Sequence, residues 1–199
     1  VKLYCATGNA GKLHEFQLAA AEFHVELEAL PRFREIPPCE EYGSTFEENA
    51  VRKATWYAPH APGPLFADDS GLEVDALGGG PGVYSARYAG ENATDEANNR
   101  LLLDRLAGET NRMARFVCVI AVARGAELLG TFRSTVEGLI LEEARGSQGF
   151  GYDPLFYYEE FGCSFGQVSR EHKMTVSHRG KALRAMLSWF TCNALPPPA

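Results

Sequence analysis

Apolar residues fall into short unbroken runs and amphipathic stretches that alternate along the chain, the pattern of strands mixed with helices. Residues 3–6 form a short apolar run that predicts a buried strand, and Gly8-Asn9-Ala10-Gly11 breaks it. Helical periodicity follows from Leu13 to Ala21, and Val25 to Leu30 predicts a second strand. A proline-containing loop ends in Cys39-Glu40-Glu41-Tyr42-Gly43. Ser44 or Thr45 can then cap a helix reaching about Tyr57, with Glu47 or Glu48 three residues on to complete a capping box. Pro64 to Ala67 reads as a strand that ends on Asp68-Asp69-Ser70-Gly71.

In the second half, Thr94 precedes a helix with Asp95 and Glu96 in its first turn and Gly108 as its stop. Residues 115–123 and 128–136 alternate and are β-branched, and Arg124-Gly125 between them predicts a hairpin. Residues 146–158, rich in glycine and aromatics, predict an ordered loop. Ser177 is placed to cap a last amphipathic helix, His178 to Phe190. These elements imply an α/β or α+β fold, a mixed β-sheet with flanking helices. Without a repeat or a dividing linker, residues 1–192 read as one domain and 193–199 as a frayed, proline-rich tail.

Composition narrows the class. With 199 residues, 45% hydrophobic and 23% charged, the chain has the balance of a globular domain that needs no disulfide or metal staple. Five cysteines (Cys5, Cys39, Cys118, Cys163, Cys192) show no zinc-ligand spacing, which suits a reducing cytoplasm. The first six residues run into the glycine turn without a signal-peptide core, and no apolar run approaches the roughly 20 residues of a membrane span, so a soluble chain is expected. A net charge of −7 argues against a nucleic-acid partner. It leaves room for one polyphosphate ligand where positive charge is concentrated.

Five segments carry chemistry. Thr7-Gly8-Asn9-Ala10-Gly11-Lys12 lies between a strand and a helix, where free N–H groups and Lys12 suit an anion; it is not a Walker A loop, since Leu13 stands where Ser or Thr would be needed. Glu40-Glu41 precedes a helix on which Asn49 and Lys53, four apart, share a face. Asp68 and Asp69 at a strand end repel one another, which a divalent cation relieves, and carboxylates are what magnesium prefers. Phe150, on the glycine-flanked segment Gly149 to Pro154, can lie against a flat base. Ser177-His178-Arg179-Gly180, with Lys173 upstream, sets cationic side chains at a positive helix end. Taken singly, each also suits an ordinary turn, cap or surface face.

In one order along the chain, these segments resemble the inosine triphosphate pyrophosphatase family, which removes non-standard purine nucleotides. The matching stretches are residues 6–12, 43–50 with Lys53-Ala54, 67–72, 81–90, 149–154 and 177–182, spanning roughly residues 3 to 190. Tyr158 departs from the family's frequent proline, and Gln167 and His172 from its common acids. The resemblance implies two α/β lobes around a central cleft, a homodimer, Mg2+ as cofactor, and cleavage of ITP, dITP and XTP to monophosphate and pyrophosphate. Carried onto matching positions, it implies that Thr7, Gly8, Asn9, Ala10, Gly11, Lys12 and Lys53 hold the triphosphate. Glu40 and Asp69 then bind the metal, Asp69 and Lys53 act in catalysis, and Ser70 touches substrate. Phe150, Gly151, Tyr152, Asp153, Lys173, His178 and Arg179 hold the base and adjoining groups.

Overall fold

The computed structural model describes residues 2–193. Its strands are β1 (Lys2–Cys5), β2 (Glu26–Ala29), β3 (Leu65–Val74), β4 (Met113–Arg124), β5 (Glu127–Ile140), β6 (Phe156–Tyr158) and β7 (Cys163–Ser164). They form one seven-stranded sheet in the order β2-β1-β3-β4-β5-β6-β7. The sheet is mixed: β1 pairs in parallel with β2 and β3, whereas β6 pairs antiparallel with β5 and β7. The helices are α1 (Ala10–Ala20), α2 (Phe46–Tyr57), α3 (Asp95–Arg105), α4 (Arg170–Val176) and α5 (His178–Cys192). The expected α/β class is therefore observed. The tail expectation falls mainly on residues 194–199, outside those described.

The chain gathers into two compact units. The first comprises the chain up to Asp69, Cys118–Ser134 and the chain from Arg179 onward; the second comprises Ser70–Val117 and Thr135–His178. In the first, Phe16 of α1 meets Phe66 of β3 edge to face at 5.2 Å, both fully buried. In the second, Phe116, Phe156 and Phe165 cluster with ring centroids 4.4–6.2 Å apart. Each fully buried aromatic stabilises its core by roughly 2–3 kcal/mol.

Local chemistry accounts for the helix starts. Asn9 caps α1 by accepting the Lys12 N–H at 3.0 Å, so the helix begins at Ala10, three residues before the apolar periodicity does. On α2, Thr45 Oγ1 accepts the Glu48 N–H, and Glu48 Oε2 accepts the Ser44 and Thr45 N–H groups, closing the expected capping box. Such a cap is worth about 1 kcal/mol. Two elements differ from the pattern-based reading. Strand β3 does not end at Asp68 but runs through both aspartates to Val74. Helix α4 was hidden by its seven-residue length; Ser169 caps it, accepting the His172 N–H.

Candidate active site

The functional side chains form one group within each unit. In the first, α1 projects Lys12 toward β3, and its ammonium lies 2.8 Å from Asp68 Oδ2. The loop before α1 is self-braced, with the Asn9 N–H donating to Thr7 Oγ1. A Cβ added to Gly8 would lie 3.4 Å from the Phe33 ring, so the backbone there is closely packed. Thr7, Gly8, Asn9 and Ala10 line a groove of about 390 Å³ together with Arg32 and Arg34. Gly11 lies in the first turn of α1.

From α2, Lys53 Nζ reaches Asp69 Oδ1 at 3.0 Å and Glu41 Oε2 at 3.1 Å. Asn49, one turn earlier, donates to Asp69 Oδ2 at 3.2 Å while its Oδ1 accepts the Gly43 N–H at 2.8 Å. The shared face expected of Asn49 and Lys53 is thus turned to a single carboxylate. Arg179, at the start of α5, contacts Glu15 Oε2 at 3.1 Å through Nη1 and lies 3.9 Å from Asp68 Oδ2 through Nε.

These surroundings drive the two adjacent aspartates apart. Burial raises the Asp68 pKa, but Lys12, Arg179 and Lys53 outweigh it and hold the carboxyl down at about 2. At Asp69 burial prevails: it raises the pKa against Lys53, and the charge of Glu41 adds to the rise. Burial alone would lower the Lys53 pKa, yet Asp69, Asp68 and Glu41 together raise it, so this lysine is a fixed cation.

In the second unit, Asp153 Oδ2 accepts the Phe150 N–H at 2.9 Å and pairs with Lys173 Nζ at 2.6 Å, both side chains 2% exposed. Lys173 Nζ lies 5.1 Å from the centre of the half-buried Phe150 ring. Gly149 is obligatory there: its φ is +73°, and a Cβ would stand 2.0 Å from Asp153 Oδ2. Gly151 donates its N–H to Asp95 Oδ2 at 2.6 Å and accepts from Asn99 Nδ2 at 3.1 Å, both on α3. Tyr152 is committed to structure: its hydroxyl donates to the Ser85 carbonyl at 2.7 Å, and burial, then Tyr88 and Asp95, keep it protonated. The His178 ring stacks on Phe116 at 4.8 Å. Ser70 is half-buried on β3, next after Asp69.

Two placements bear on the expected assignments. Glu41, not Glu40, reaches Lys53; Glu40 is exposed, and its backbone carbonyl accepts from Arg52 Nε. The turn of the loop decides this, since Asn49 draws in the Gly43 N–H. Arg179 pairs with Glu15 and lies near Asp68, the partner of Lys12. Glu15 escaped notice in the sequence. Its one signal is an acid one position before the buried Phe16 on an otherwise apolar helix face, and it is fully buried.

The first group opposes three cations (Lys12, Lys53, Arg179) to four carboxylates (Glu15, Glu41, Asp68, Asp69). A polyanion could not bind there without further positive charge. Among the described residues no three metal-ligating side chains converge on one point. Magnesium is usually held by one or two carboxylates with waters and substrate phosphates rather than by a protein cage. Glu41 and Asp69 fit that role.

The aspartate pair set between lysines from two helices is a candidate site for a phosphate-bearing substrate, and the sequence places the chain in a family. The profile of the Ham1 family matches residues 3–189, and this chain belongs to that family. A dITP/XTP pyrophosphatase of Exiguobacterium is 48% identical over 94% of this chain and 95% of its own length. The Ham1 protein of Coxiella burnetii superposes with a TM-score of 0.87 at 37% identity, covering 96% of this chain and 98% of its own. The Ham1 protein of Staphylococcus aureus gives 0.86 at 40% identity, covering 97% and 100%.

Proposed function

We propose that this chain is a magnesium-dependent pyrophosphohydrolase that converts ITP, dITP and XTP to the monophosphate and pyrophosphate, as a homodimer in the cytoplasm. The observation that carries the reading is the pairing of two adjacent buried aspartates with lysines from two helices, Lys12 on Asp68 and Lys53 on Asp69. Asp68, clasped by Lys12 and Arg179, is a permanent anion that orients those cations. Asp69, with a raised proton affinity and Lys53 on one oxygen, is suited to take a proton from water.

In the proposed reaction, the polyphosphate of the nucleotide engages the group around Asp68 and Asp69. Water attacks the α-phosphorus while its proton passes to Asp69; the bond from the α-phosphorus to the bridging oxygen breaks, and pyrophosphate leaves. Lys12, Lys53 and the N–H groups at the start of α1 hold the phosphate oxygens. Magnesium, held by Glu41 and Asp69, would neutralise charge on those oxygens.

Base choice follows from hydrogen-bond polarity. Hypoxanthine and xanthine present a 6-oxo acceptor where adenine presents an amino donor. An ammonium such as Lys173, beside the Phe150 ring, favours the acceptor and leaves adenine facing a donor. Support for the cytoplasmic setting is that none of the five cysteines is in a disulfide and that no described helix is long and apolar enough to cross a membrane.

The test is pyrophosphate release across ITP, dITP, XTP, GTP and ATP, with and without magnesium, for the native chain and Asp69→Asn. The expected result is strong preference for the first three, dependence on magnesium, and a loss of about 10²–10⁴ in kcat for the variant. Equal rates on GTP, or near-native turnover by Asp69→Asn, would refute the proposal. Sedimentation velocity tests the dimer.

A further inference from the structure

Two side chains on α3 hold one residue of the Phe150 loop, Gly151, through the peptide groups on either side of it. Asp95 and Asn99 are four residues apart and therefore lie on one face of the helix. Asp95 Oδ2 accepts the Gly151 N–H at 2.6 Å, and Asn99 Nδ2 donates to the Gly151 carbonyl at 3.1 Å. Gly151 itself has φ of +63°, a left-handed conformation that leaves both polar groups on display. A loop glycine has the greatest backbone freedom of any residue, and here that freedom is removed by an adjoining helix.

The bond from Asp95 is charge-assisted and short, the stronger kind. Asn99 Oδ1 is buried with no hydrogen-bond partner among the described residues, so within them its amide serves Gly151 alone. Asp153, inside the loop, accepts the Phe150 N–H through its carboxylate and donates its own N–H to the Phe150 carbonyl at 3.3 Å. Phe150 is thus held within the loop by Asp153, and the residue that follows it is held from outside the loop by α3. The α3 contacts therefore fix the loop, and the ring it carries, to a helix.

We propose that Asp95 and Asn99 are positioning residues for base recognition, fixing the plane in which Phe150 meets the purine. This rests on the reading of Phe150 as the base platform. Neither residue touches substrate, and neither enters the phosphate chemistry. Their loss therefore weakens binding of the base and leaves affinity for a base-free polyphosphate unchanged.

The experiment compares Asp95→Ala, Asp95→Asn, Asn99→Asp and Phe150→Ala with the native enzyme. KM and kcat for ITP are measured, with the inhibition constant of inorganic tripolyphosphate as a base-free probe. Asn99→Asp keeps size and polarity but sets a carboxylate against the Gly151 carbonyl, so it serves where Asp95→Ala weakens the first turn of α3. Expected is a KM for ITP raised about tenfold in Asp95→Ala and Asn99→Asp, with kcat within about twofold and tripolyphosphate inhibition unaltered. Asp95→Asn, which keeps an acceptor for the Gly151 N–H, should recover most of the native KM. Native KM in both Asp95→Ala and Asn99→Asp, beside a raised KM in Phe150→Ala, overturns the α3 clamp alone. A native KM in Phe150→Ala overturns the platform reading, and the clamp with it. Tripolyphosphate inhibition that weakens in step with KM also overturns the proposal, because the damage would then not be confined to the base.

Discussion

Replacing Asp68 by asparagine keeps the volume and one acceptor but deletes the buried charge between Lys12 and Arg179. The native carboxyl is held at about 2 against an ordinary value of 3.8. At about 1.4 kcal/mol per pH unit, this difference contributes roughly 2–3 kcal/mol to folding at neutral pH. A depressed carboxyl stabilises the fold in full above the unfolded value and loses the contribution as pH falls through the folded one. The stability gap between native protein and Asp68→Asn should therefore be roughly 2–3 kcal/mol at pH 7, about half that at pH 3, and nearly gone at pH 2. Urea unfolding of both proteins at pH 7, 5 and 3, followed by fluorescence of Trp56 and Trp189, measures it directly. A gap that stays constant from pH 7 to pH 3 would show that the effect is one of shape and not of charge, and the account of the Lys12–Asp68–Arg179 cluster would be wrong.

Two further outcomes are expected. Glu41→Gln should raise the half-saturating magnesium concentration by about tenfold or more, whereas Glu40→Gln should leave it unchanged; magnesium titrations of ITP turnover distinguish them, and the reverse pattern would restore Glu40 as the ligand. Gly149→Ala forces a Cβ into Asp153 at a left-handed backbone position, and should cost about 3 kcal/mol, seen calorimetrically as a fall of roughly 6–12 °C in Tm.

What the sequence disclosed depended on how far apart the interacting residues lie along it. The cap of α2 and the common face of Asn49 and Lys53 are set within a few residues, and both could be read directly. The length of β3 could not be read in this way. Aspartate is disfavoured in strands, and what reconciles Asp68 and Asp69 to one is cations 56 and 16 residues away. The Glu15–Arg179 pair joins residues 164 apart, so Arg179 could be read only from its place beside His178 at a helix start, without its acidic partner. Glu40 and Glu41 are chemically identical and adjacent. Only the path of the loop, with Arg52 drawn to the Glu40 carbonyl and Asn49 to the Gly43 N–H, separates them.

Because Gly43 offers a donor, the Asn49 amide must turn its oxygen there and its nitrogen to Asp69. Hydrolytic loss of ammonia from that one side chain would exchange a donor for an anion and set two carboxylates face to face. Asn49 is therefore the point at which slow chemical ageing would do the site most harm. Its burial at 1% exposure, on the second turn of a capped helix, keeps water and backbone rearrangement away from the bond at risk.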